Sequence, residues 1–213
     1  MPDERGAVVT KHRTKEAWVE DILDSATQVI DEDGYPNLTM EAIASRSGLS
    51  KGGVYRIFKN KKEVALALFR RLHLRLLDFD INEVESWGLS IEETVTRLLF
   101  AQLDGEDAEK VERTWIQLLP ETRWSESFRV EAQRIKGQLR EKYRELIERL
   151  VARDGVEVRG AFEGRLKTAL DLGVAMMQGM AIQGTEGTPR ESRADLLSRF
   201  IEMMMAYVIE ERR

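Results

Sequence analysis

The stretch Thr39-Met40-Glu41-Ala42-Ile43-Ala44-Ser45-Arg46-Ser47-Gly48-Leu49-Ser50-Lys51-Gly52-Gly53-Val54-Tyr55-Arg56-Ile57-Phe58 decides how the chain is read. Thr39 is a good N-cap for a short helix in which Ala42 and Ile43 face inward. Ser47-Gly48-Leu49-Ser50 breaks that helix, and Gly48 suits a left-handed turn. Ser50 then caps a second short helix whose Val54, Ile57 and Phe58 share one face. Two short helices joined by a tight glycine-containing turn are the helix-turn-helix layout.

The outer side of the second helix is left with Lys51, Gly52, Gly53, Tyr55, Arg56 and, just beyond, Lys59. Two glycines in a first helical turn cost roughly 1 kcal/mol each relative to alanine. Close approach of something bulky, such as a phosphate strand, would repay that cost. From Ser45 to Lys62 six cations (Arg46, Lys51, Arg56, Lys59, Lys61 and Lys62) occur with no acidic residue, in a chain of net charge −5. Arginine and lysine here can neutralise phosphates or reach guanine edges in a major groove. Charge and periodicity alone leave two readings open: a DNA-facing helix, or a solvated basic face behind a glycine-rich loop.

Working outward, the helical period dominates. Trp18, Ile22, Leu23, Ala26, Val29 and Ile30 share a face of a preceding helix that Gly34 and Pro36 end. Asn60 with Glu63 opens a fourth helix through Val64, Leu68, Phe69 and Leu72 to about Phe79, and Ser90 with Glu93 opens another. Further helices hold Val111 to Leu119, which Pro120 ends or kinks, about 125–151, and the apolar pair 160–183 and 189–211. Only four prolines occur, and alternating β-branched patterns are nearly absent. The expected fold is all-α. Residues 1–13 are expected to form a disordered arm, 14–62 the helix-turn-helix domain, and 63–213 a helical domain behind it.

At 213 residues a sizeable core needs no staples, and the chain has no cysteine. That excludes thiolate metal sites, cysteine nucleophiles and disulfide scaffolds, and fits a reducing compartment. With only two histidines and no phosphate-loop, dinucleotide, serine-hydrolase or zinc-protease motif, no catalytic residue, metal or cofactor is expected. Mean hydropathy is −0.39 and the first residues carry no apolar run, so neither a membrane protein nor a secretion signal is expected.

Ile22-Leu23-Asp24-Ser25-Ala26, Asp33-Gly34-Tyr35, Leu38 to Ala44, Gly48 to Phe58 and Asn60-Lys61-Lys62-Glu63 occur in this order and spacing. Together, over about residues 18–68, they closely resemble the N-terminal domain of the tetracycline-repressor (TetR/AcrR-type) family of bacterial transcriptional regulators. The resemblance implies a homodimer that binds a palindromic operator in double-stranded DNA and is released by a small effector, in keeping with the cytoplasmic location that the composition leads one to expect. It implies that Thr39 holds a phosphate, that Ser50, Lys51, Gly52, Gly53, Tyr55 and Arg56 lie along the major groove, and that Lys61 contacts phosphate. Arg46 is a further candidate. Tyr55 also fits a packing role and Thr39 a purely capping one. Glu41 departs from the pattern, standing where some members place a basic base-reading residue; either it reads cytosine or it pairs with a neighbouring cation.

Behind the head, the last two helices are too apolar for an isolated surface. Leu170, Gly173, Met177, Leu197, Phe200 and Met204 are expected at a dimer interface, the competing reading being one central core. Phe100, Trp115, Leu118, Trp124, Phe128, Tyr143, Met177 and Met180 are the candidates for an effector pocket, with an apolar or aromatic ligand expected; the same stripes also fit ordinary core. Gln117, Arg134 and Gln178 are polar residues in apolar surroundings that either orient a ligand or face solvent. The expected function is a DNA-binding transcriptional regulator, a repressor in the first instance. The alternative is a helical ligand-binding or interaction protein, an activator or adaptor.

Overall fold

A computed structural model describes residues 14–103, 108–158 and 160–210. The expected N-terminal arm lies outside the described residues. Helix α1 (Lys15–Asp33) is capped by Thr14, whose hydroxyl accepts from Ala17 N at 3.3 Å, and ends at Gly34, where φ is +85°. A short 3-10 turn at Tyr35–Asn37 leads to α2 (Met40–Ser47), α3 (Lys51–Ile57) and α4 (Lys61–Leu74). Thr39, Ser50 and Asn60 each accept the backbone N–H three residues on, at 3.0, 3.1 and 3.0 Å. Each cap satisfies an orphan donor and is worth about 1 kcal/mol. Gly48 sits at φ +67°, the left-handed turn between α2 and α3.

After a second 3-10 turn (Arg75–Leu77) come α5 (Ile81–Ser86), α6 (Ile91–Leu103), α7 (Ala108–Leu118) and α8 (Glu121–Trp124). The long α9 (Glu126–Asp154), α10 (Phe162–Thr185) and α11 (Arg190–Val208) complete the bundle. The Ser90–Glu93 capping box ahead of α6 is complete: Ser90 N donates to the Glu93 carboxylate at 2.9 Å, and Glu93 N to Ser90 Oγ at 3.2 Å. Two features depart from the sequence reading. Helix α4 stops at Leu74 rather than near Phe79, and α5 and α8 are additional short helices, α5 capped by Asp80 and α8 opened by Pro120. A two-residue antiparallel ladder also pairs β1 (Glu157–Val158) with β2 (Ile209–Glu210), beside an otherwise all-α architecture.

One core runs across the expected boundary at residue 62. Ile22, Ile30, Ile43 and Val54 of α1–α3 are fully buried in the same cluster as Phe69 of α4, Leu118 of α7 and Phe128 of α9. Burial of each such side chain contributes roughly 1.5–3 kcal/mol. A smaller cluster of Val95, Met180, Leu197 and Ile201 ties α6 to α10 and α11. Among the described residues no helix is long and apolar enough to cross a membrane, and no cluster of metal-ligating side chains occurs.

Candidate nucleic-acid interface and internal cavity

Most of the expected DNA-contacting residues lie on or beside α2 and α3, with Lys61 at the start of α4, and several of the cations already have partners. Lys51 forms an ion pair with Glu41, and this contact lowers the Glu41 carboxyl below its usual range and raises the Lys51 ammonium. Glu41 therefore faces its own neighbour. Arg46 turns back to the end of α1, pairing with Glu32 and, at 2.8 Å, with Asp33. Its guanidinium is thereby occupied in the free protein, so a DNA contact by Arg46 would exchange these partners for phosphate. Arg56 lies 4.4 Å over the ring of Trp18 on α1, and Lys61 lies 5.4 Å over the ring of Tyr35. Stacking of this kind is worth about 0.5–1 kcal/mol at exposed sites.

Tyr55 is 43% exposed, with Lys51 Nζ 5.9 Å from its ring centroid, so it is not a core residue. Thr39 and Ser50 are exposed and both hydroxyls serve as caps. The two glycines of α3 differ. A Cβ on Gly53 would stand 3.3 Å from Ser50 Oγ, so local packing favours glycine there. A Cβ on Gly52 would meet nothing within 4 Å. The protein's own packing therefore gives no reason for the missing side chain at Gly52.

Behind the head lies a cavity of about 670 Å³ bounded by α4, α6, α7, α9, α10 and α11 and lined mostly by apolar side chains. Of the expected effector residues, Trp115, Tyr143 and Met177 line it. Phe100, Leu118, Phe128 and Met180 do not line it, although they share the same apolar clusters as those three, and Trp124 is 77% exposed. For the first four, a helix packed on several sides carries apolar residues all round, and period alone cannot separate cavity wall from core; Trp124 instead ends the short α8 and faces solvent. Burial pushes the Tyr143 hydroxyl up to about 12, so it is an un-ionised donor at neutral pH.

The same ambiguity affects the expected dimer face. Leu197 and Met204 are buried within the protomer at 1% and 8% exposure, and Leu170, Gly173, Met177 and Phe200 line the cavity with them. The outward apolar residues of these helices are Leu172 and Ile182 on α10 and Leu196 and Met203 on α11.

Four polar arrangements that local sequence patterns do not reveal join the cavity walls to the head or to one another. Trp115 Nε1–H donates to His73 Nε2 at 2.9 Å, and the other imidazole nitrogen meets Phe69 O at 2.7 Å. Burial lowers the His73 pKa, chiefly by desolvation. Glu131 of α9, 5% exposed, accepts from Arg70 of α4 at 2.8 and 3.0 Å and from Arg134; these bonds, that of Arg70 first, hold its carboxyl down to about 2. Gln117 of α7 accepts from Tyr35 N at 2.8 Å and donates to Ile30 O at 2.9 Å, while Arg113 reaches Asp31 at 2.7 Å. Finally, Arg193 and Glu112 pair at 2.7 Å in the cavity wall, with side chains 8% and 17% exposed. Of the polar residues singled out from sequence, Gln117 thus faces the head, Arg134 pairs with Glu131, and Gln178 lines the cavity.

Comparison with known proteins places these features in context. Residues 22–68 match the family described as bacterial regulatory proteins, tetR family. The chain is 35% identical over 83 residues to the HTH-type transcriptional regulator YhgD of Bacillus subtilis, a match covering 39% of this chain and 43% of that one. It is 39% identical over 49 residues to the fatty acid metabolism regulator protein of the same organism, covering 23% of this chain and 25% of the relative. The chain thus matches less than half the length of either curated relative. A transcriptional regulator from Rhodococcus sp. RHA1 superposes with a TM-score of 0.72 at 19% identity, over 91% of this chain and 99% of that one, a likeness of fold.

Proposed function

With a tetR-family N-terminal domain at residues 22–68 as the premise, we propose that the protein is a DNA-binding transcriptional regulator, a ligand-released repressor. The observation that carries this reading is Gly52 on the outward face of α3, bare for no internal reason and flanked by Lys51, Tyr55 and Arg56. A recognition helix presses its first turn against DNA, and a bare backbone there admits close approach to phosphate. Ser50, Lys51, Gly53, Tyr55 and Arg56 lie along the groove in this reading, with Thr39 and Lys61 on flanking phosphates. For Lys51 and Arg56, binding exchanges an intramolecular partner for DNA.

The functional unit is a homodimer. Leu172, Ile182, Leu196 and Met203 give α10 and α11 an outward apolar face, which supports pairing of these helices about a two-fold axis. Two heads then read two half-sites of a palindrome. The cavity is the effector site: α4 forms one of its walls through Leu72 and His73, and the same helix begins at Lys61 beside the basic face. A ligand that binds better to one placement of α4 shifts the spacing of the heads by its differential affinity.

Selection from random duplex DNA with purified protein at near-physiological salt tests this reading. An enriched palindrome is the expected result. A folded dimer that enriches no sequence, with and without ligand, removes the regulator reading.

A further inference from the structure

The charge lining the cavity runs opposite to that of the whole chain. Arg75, Arg129, Lys136, Arg140, Arg190 and Arg193 contribute to its wall, against Glu109, Glu112 and Asp171, in a protein of net charge −5. Each of the three carboxylates is already engaged: Glu109 with Arg113 at 3.5 Å, Glu112 with Arg193 at 2.7 Å, and Asp171 with Lys167 at 2.8 Å. Arg140 differs. Its Nε is shielded from solvent and has no hydrogen-bond partner. Lys136 stands one helical turn away on the same side of α9, also lines the cavity, and forms no ion pair among the described residues. Both cations act on the Asp171 carboxyl, which is held low first by Lys167 and then by Arg140 and Lys136, so the two share one region of the wall.

A buried guanidinium N–H without an acceptor keeps the desolvation penalty of that group, which is larger where the group is charged. A ligand that brings an acceptor to it recovers that cost and gains a charge-assisted hydrogen bond. The rest of the wall asks for the opposite chemistry, through Leu72, Leu76, Leu99, Leu139 and Met177. The volume falls mid-range for small-molecule sites, which span roughly 300–1,000 Å³. A cationic ligand would find every carboxylate taken, and a wholly apolar one would leave Arg140 unsatisfied.

We propose that the cavity takes an amphipathic carboxylate, its head group on Arg140 and Lys136 and its apolar body among the leucines and Met177. This refines the expected apolar effector and rests on the reading of the cavity as the effector site. It assigns Arg140 as the residue that sets head-group specificity.

Calorimetric titration of the full-length protein with laurate, with dodecanol and with dodecyltrimethylammonium, all below their micellar concentrations, tests the assignment. Laurate is expected to bind at least tenfold more tightly than the other two. Arg140→Gln should lose about tenfold or more for laurate while leaving dodecanol unchanged, and Arg140→Lys should recover part of the loss. Equal affinity for laurate and dodecanol, or no effect of Arg140→Gln, overturns the proposal. Binding of the coenzyme A thioester but not of the free acid overturns it too, since the acceptor would then be phosphate. A measurement of operator release separates the two readings. If laurate binds as described but leaves DNA binding unchanged, the carboxylate site stands and the effector role falls. If the protein selects a palindrome but binds no carboxylate, the regulator reading stands and the carboxylate site falls.

Discussion

Trp115 on α7 donates its indole N–H to His73 on α4, fixing the state of a buried imidazole. With Nε2 accepting at 2.9 Å, the proton sits on Nδ1 and is donated to Phe69 O at 2.7 Å. A second proton would require Nε2 to give up its acceptor role and would charge a desolvated ring. The folded-state pKa of His73 is lowered from 6.5, so its contribution to stability is full above that value and is lost as pH falls. Urea unfolding between about pH 7.5 and about pH 5 should show stability declining with acidity, and His73→Phe should remove part of that slope. An identical slope in the variant would count against a buried neutral histidine.

The bridge from α4 to α9 gives a second pH-linked prediction. Glu131 titrates in the folded protein at about 2 rather than 4.5, so its stabilisation is present above 4.5 and disappears as pH falls toward 2. Glu131→Gln should cost about 2 kcal/mol at neutral pH, since Arg70 and Arg134 keep partial solvent access and do not become fully buried orphans. Chemical denaturation at pH 7 and about pH 3.5 checks this: the gap between variant and wild type should narrow at the lower pH.

Gly52 separates folding from binding. Because a side chain there meets nothing within 4 Å, Gly52→Ala should stabilise the protein by about 0.5–1 kcal/mol through helix propensity. Operator binding should fall by at least tenfold if phosphate or base edges approach that Cα. A variant that is more stable and binds DNA as wild type would exclude α3 as the face in contact.

The Lys51–Glu41 pair offers a test of the opposite sign. Glu41→Gln removes an anion from the basic face and releases Lys51. Non-specific duplex binding should tighten about three- to tenfold at low salt, and the plot of log affinity against log salt should steepen by about one. Fluorescence anisotropy across a salt series measures both, and an unchanged slope would mean that Lys51 never reaches phosphate.

Local chemistry made much of the head legible. The caps at Thr39, Ser50 and Asn60 and the turn at Gly48 are set by residues within three positions of one another, and each stands where the sequence places it. The long-range pairs are not encoded that way. Nothing near Arg70 announces Glu131, and nothing near Gln117 announces Tyr35, because those partners meet only when separate helices pack. The cavity was legible in composition but not in position. Trp115 and Phe128 read alike in sequence, yet the first lines the cavity and the second is fully buried. Leu197 and Met204 lie inward for a similar reason, since α10 and α11 carry apolar residues on both sides.

Gln117 and Arg113 reach across from α7 to the end of α1, gripping the Tyr35 amide, the Ile30 carbonyl and Asp31. A cut after α3 would be the obvious way to graft the head onto a foreign body. In this chain that cut would strip α1 of its clasp and open the shared core at Phe69, Leu118 and Phe128. A working chimaera therefore has to import both side chains on the recipient's matching helix. The portable unit of this protein is discontinuous, a head together with one helical face from far along the chain.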